Sequence, residues 1–121
     1  MNIEELRDYC LSVKGAVECF PFDETVLVFK IMDKMFAYGG IAPADGRLAF
    51  NFKCDPDRSV ELRERYQGIG KGNHTASVRW NSVALEEDVP DSLIRELIDH
   101  SVAEVLKALP KSKREEYLNM P

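Results

Sequence analysis

The sequence predicts an α+β fold of two layers. Three observations carry this: helical patterns at both ends of the chain, β-rich runs between them, and strict alternation in the clearest of those runs. The expected architecture is an antiparallel sheet covered on one face by the N- and C-terminal helices, in a single domain over residues 1–121. Because the sheet alternates, its second face is expected to meet water or a partner.

Ile3, Leu6, Cys10 and Val13 recur at steps of three and four, the stripe of an amphipathic helix. Asn2 is its expected cap, Glu4, Glu5 and Asp8 suit its positive end, and Gly15 closes it. Thr25 to Ile31 is a β-rich run. A turn at Met32-Asp33-Lys34 and a partner strand from Met35 to Ile41 complete a hairpin. Gly39-Gly40 within that partner signals a bulge or a close backbone approach. After a turn around Pro43 and Asp45-Gly46, the segment Arg47 to Lys53 directs Leu48, Phe50 and Phe52 to a core. Arg47, Asn51 and Lys53 face the other way.

Asp55-Pro56 starts a helix that runs to about Tyr66, with Asp as cap and Pro in the first turn. Gly68, Gly70 and Gly72 space the next loop, but no Lys-Ser or Lys-Thr follows, so it does not read as a phosphate loop. One more strand is expected between His74 and Leu85, clearest from Arg79 onward. Val89-Pro90-Asp91 opens a long helix with Leu93, Leu97, Ile98, Ser101, Val105 and Leu109 inward. Pro110 ends it, and Lys111 to Leu118 forms a short last helix.

The composition fits a globular domain, 45% hydrophobic with a formal charge of −5. That charge is uneven: −4 over residues 1–29, +3 over 30–80 and −4 over 81–121. A polyanion responds to local fields within about 8–10 Å, so the basic middle segment is where one would dock. No apolar run approaches the roughly 18 residues of a membrane span. The acidic start lacks the pattern of a signal peptide, and a cytoplasmic, membrane-free protein is expected. Cys10, Cys19 and Cys54 are unpatterned, as suits reduced thiols in or near a core, and neither metal nor cofactor is expected.

Phe20-Pro21-Phe22-Asp23, Val28-Phe29-Lys30 and Lys34-Met35-Phe36-Ala37, in that order, resemble the opening signature of the MmcQ/YjbR-like family of small bacterial proteins. Asn51 to Pro56, Gly72-Asn73-His74 with Trp80, Leu97 to Ser101, and Leu109-Pro110-Lys111 extend the resemblance over nearly the whole chain. The resemblance implies a fold like that of frataxin and CyaY, with a double wing of two hairpins embracing DNA. Where many members carry an Asn, this chain has Ala76, which removes one bidentate contact to a base or phosphate.

From this follow the candidate nucleic-acid-binding residues Lys30, Lys34, Arg47, Lys53, Lys71, His74, Arg79 and Trp80. The cations suit a phosphate backbone and the indole an unpaired base. A small anionic metabolite or a protein partner on the same sheet face is the alternative. No catalytic constellation stands out. His74 lacks an evident partner as a general base, and Glu4, Glu5 and Asp8 are too few carboxylates for a frataxin-like iron ridge.

Overall fold

Asn2 opens the chain's first helix with a reciprocal cap. Its side chain accepts the Glu5 N–H at 2.8 Å, while the Glu5 carboxylate accepts the Asn2 N–H at 3.2 Å. The structure is a computed structural model and describes residues 1–73, 75–76 and 78–121. Helix α1 covers Ile3–Ser12, so it stops short of Gly15. The next segment forms an unforeseen strand, β1 (Val17–Cys19), too short for alternation to reveal. Strands β2 (Val26–Ile31) and β3 (Lys34–Gly40) form the expected hairpin. Met32 and Asp33 both have positive φ, 49° and 64°, as a two-residue turn between twisted strands requires.

Strand β4 is Ala49–Lys53, shorter than the predicted run and leaving Arg47 outside it. Helix α2 (Pro56–Arg65) is capped by Asp55, whose carboxylate accepts the Arg58 N–H at 3.1 Å. The glycine-spaced loop contains a second unforeseen strand, β5 (Ile69–Lys71), paired with β6 (Trp80–Ala84). Helices α3 (Asp91–Ala108) and α4 (Lys111–Leu118) complete the chain.

Among the described residues the six strands make one antiparallel sheet in the order β1-β2-β3-β4-β6-β5. Its core face supplies Leu27, Phe29, Phe36, Phe50, Phe52 and Val83, packed with Leu6 and Cys10 of α1 and Ile94, Leu97, Ile98 and Val105 of α3. This is the expected two-layer α+β architecture. The Tyr117 hydroxyl of α4 donates to the Lys14 carbonyl at 2.7 Å, joining the last helix to the end of the first.

Two local features set the sheet's geometry. At Gly39 a Cβ would lie 2.6 Å from the Ala49 carbonyl oxygen and 2.7 Å from the Phe50 ring, so β3 and β4 meet only because no side chain intervenes. The bulge lies elsewhere. Phe29 pairs with Ala37 but Lys30 with Met35, which makes Phe36 the extra residue. Phe36 and Ala37 therefore both enter the core, and Met35 turns out beside Lys30.

The second face is partly closed. Val28, Tyr38 and Asn51 are buried there. Asn73 and Thr75 close over two of them: the Tyr38 hydroxyl donates to the Asn73 carbonyl and pairs with Thr75 Oγ1 at 2.8 Å. Asn51 Oδ1 accepts the Asn73 N–H at 2.9 Å.

Candidate functional site

Past the bulge, one row of residues crosses the second face at the end of the sheet near the β2–β3 turn. Lys30 pairs with Met35 across β2 and β3, and Lys53 with Trp80 across β4 and β6. Ser101 of α3 supports this row from behind. Its fully buried hydroxyl donates to the Phe36 carbonyl at 2.6 Å and accepts the Lys53 N–H at 2.8 Å. It thus satisfies two backbone groups that the bulge leaves unpaired in the ladder.

Trp80 is held from several sides. Its ring meets Tyr38 edge-on at 5.5 Å, and its carbonyl accepts the Gly72 N–H at 2.9 Å and an Arg63 N–H at 3.2 Å. A Cβ on Gly72 would lie 2.6 Å from that of Trp80, so this glycine is needed for the close approach. The Arg79 carbonyl accepts the Cys54 N–H at 2.8 Å, fixing Arg79 beside the end of β4.

These residues enclose a hollow of about 310 Å³ lined by Lys34, Met35, Lys53, Trp80, Val105 and Leu109. A second hollow of about 280 Å³ adjoins it through Lys53 and Ala108, with Arg79, Glu104 and Lys107 in its walls. Together they form a groove between the sheet end and the last turns of α3. Among the described residues Lys30, Lys34, Lys53 and Arg79 form no ion pair. Lys107 has only Glu104, at 4.0 Å.

The groove faces the C-terminal end of α3, whose carbonyl dipoles would repel an anion. Arg114 of α4 counters them. Its guanidinium donates to the carbonyls of Leu106, Lys107 and Leu109 at 3.2, 3.4 and 3.2 Å.

The remaining predicted residues lie apart. Arg47 is at the opposite end of β4 in a bidentate pair with Glu87, at 2.6 and 3.1 Å. That pairing raises the Arg47 pKa and lowers that of Glu87. The expectation that Arg47 and Lys53 share one strand face is thereby corrected. Lys71 is exposed on the outer strand β5, and His74 lies outside the described residues. Sequence reasoning missed Met35, Lys107 and Arg114. A bulge moves Met35 outward, Lys107 flanks the apolar stripe of α3, and Arg114 reaches back from the next helix, so no one spacing rule links them.

The phosphate-loop reading fails on geometry as well as on motif. The N–H groups of Gln67 and Gly68 both bind the Asp88 carboxylate, at 2.8 and 2.7 Å. Desolvation pushes the Asp88 pKa up, but these bonds outweigh it and the net shift is downward, keeping the carboxylate in place. Burial raises the Cys10 thiol to about 12, which leaves it an inert core residue. No group of three or more His, Cys, Asp or Glu side chains among the described residues could hold a metal ion. No helix among them is long and apolar enough to cross a membrane.

The YjbR family model matches residues 11–102, which include β1 to β6 and most of α3. The chain belongs to the YjbR family. Uncharacterized protein YjbR of Escherichia coli K12 is 30% identical over 114 residues, covering 94% of this chain and 95% of that protein. Uncharacterized protein YbdF of Escherichia coli O157:H7 is 33% identical over 93 residues, with coverage of 77% and 75%. The crystal structure of Deinococcus radiodurans protein DR2400, with its DUF419 domain, superposes with a TM-score of 0.87. It is 36% identical and covers 99% of this chain and 89% of its own. A Pseudomonas syringae crystal structure, at TM-score 0.72 and 23% identity over 84% of this chain and 96% of its own, shares the fold.

Proposed function

We propose that this YjbR-family chain is a binding module without catalytic duty, and that its ligand is nucleic acid held in the groove between the sheet end and α3. One observation carries the reading: Lys34, Lys53 and Arg79, free of ion pairs among the described residues, surround the half-buried indole of Trp80. Cations spread along a groove suit successive phosphates, and an aromatic ring suits a base. The β2–β3 hairpin brings Lys34 to one side of the groove and the β5–β6 hairpin brings Arg79 to the other, so these two serve as the wings. The net charge of −5 opposes binding at long range, and the site relies on the local excess of cations.

Fluorescence of Trp80, the single tryptophan, tests this directly. Titration with short single- and double-stranded DNA at several salt concentrations is expected to change its emission. For a single strand, log affinity falls by about 0.7 per neutralised phosphate and decade of salt. Unchanged emission, with no retarded band in a mobility assay, rejects the reading.

The volume of the groove favours a second reading, a small anionic molecule or the acidic side chain of a protein partner. About 310 Å³ is on the scale of small-molecule sites, roughly 300–1,000 Å³. A thermal-shift panel of anionic metabolites separates it from the first.

A further inference from the structure

Next to the cationic groove, on the covered sheet face, lies an apolar hollow of about 300 Å³. Its walls are Phe22, Val26, Met35, Tyr38 and Thr75. Met35 belongs to both hollows, so they are neighbouring compartments with one flexible thioether side chain between them. We infer that the apolar compartment seats one unpaired base of a single strand while the cationic compartment holds the adjoining phosphates. This rests on the nucleic-acid reading above and narrows it to strands with unpaired bases.

Three features favour that occupant. The wall offers two aromatic side chains, and Phe22 is 69% exposed on its own, an apolar ring that a flat partner would cover. The polar atoms at the wall are already engaged: the Tyr38 hydroxyl and Thr75 Oγ1 bond to each other and the former to the Asn73 carbonyl. The hollow thus offers the exposed ring of Phe22 and few free hydrogen-bond groups, the chemistry of stacking without sequence readout. Finally, charge divides the two compartments. Asp23, beside Phe22, is held ionised by the Thr25 N–H and hydroxyl, both at 2.8 Å, whereas Lys34 and Lys53 line the other compartment. Phosphates are repelled from the Phe22 side and attracted to the lysine side, which orients the strand. Paired and stacked duplex bases have no access to such a hollow.

The test compares a labelled thymidine oligonucleotide with the same strand carrying abasic sites, by fluorescence anisotropy, on wild type, Phe22→Ala and Lys53→Gln. The intact strand is expected to bind roughly tenfold or more tighter than the abasic one, as loss of one base–aromatic stack implies. Phe22→Ala should shrink that difference to the part that Trp80 supplies and keep the salt slope, and Lys53→Gln should weaken both strands alike. A Phe22→Trp variant in a Trp80→Phe background gives a direct signal, quenched by the intact strand and not by the abasic one. Salt-dependent binding that needs Lys53, with a preference for the intact strand that Phe22→Ala leaves unchanged, overturns the base compartment and leaves the groove reading intact. No binding of any strand overturns both.

Discussion

Ser101 joins three elements through one hydroxyl, and its removal tests whether the bulge depends on α3. Ser101→Ala leaves the Phe36 carbonyl and the Lys53 N–H without their partner in a buried setting. Each such group costs about 1–3 kcal/mol, so a loss of roughly 2–6 kcal/mol is expected from urea unfolding. His100 makes a different prediction. Its Nε2 accepts the Asp55 N–H at 3.1 Å, an interaction that requires the neutral ring. Desolvation, helped by nearby Arg58, lowers its pKa below 6.5. The unfolded chain then binds the proton more readily, so this contribution to stability is complete above pH 6.5 and is lost as pH falls through the folded value. Wild type should lose more stability than His100→Gln between about pH 7 and about pH 5, measured as the shift in urea midpoint. Equal shifts would show that His100 does not titrate with unfolding.

Elements with strong local signals were legible in the sequence: the Asn2 and Asp55 caps, the Met32-Asp33 turn, the alternating residues of β4, and the stripe of α3. The strands β1 and β5 were not, because each spans three residues and owes its form to pairing with a longer neighbour. The glycines of the sheet needed tertiary context too. Gly39 sits where strands touch, whereas at Gly70 a Cβ would meet nothing within 4 Å. Gly39→Ala is therefore expected to cost about 1–3 kcal/mol through overpacking. Gly70→Ala, in the same sheet, should be within roughly 0.5 kcal/mol of wild type or slightly stabilising. Thermal unfolding of the two variants checks the contrast.

At the scale of the whole molecule, the sequence located the basic middle segment but not how the fold divides it. Folding draws Lys34, Lys53, Arg79 and Trp80 to one groove and sends Arg47 to the opposite end, where Glu87 neutralises it. No spacing rule anticipates this, since the partner of Arg47 lies 40 residues away. The consequence is a sorting of variants. Lys53→Gln and Arg79→Gln should each reduce the single-strand salt slope by about 0.7, and Arg47→Gln should leave it unchanged in the same fluorescence titration.

The bond from Tyr117 to the Lys14 carbonyl bridges 103 positions of sequence. During synthesis the first helix emerges long before its final neighbour exists, and the end of α1 stays open to solvent until α4 leaves the ribosome. Completion of the fold is therefore a late event, and a nascent chain arrested ahead of Tyr117 should be cut by proteases near Lys14 faster than the released protein.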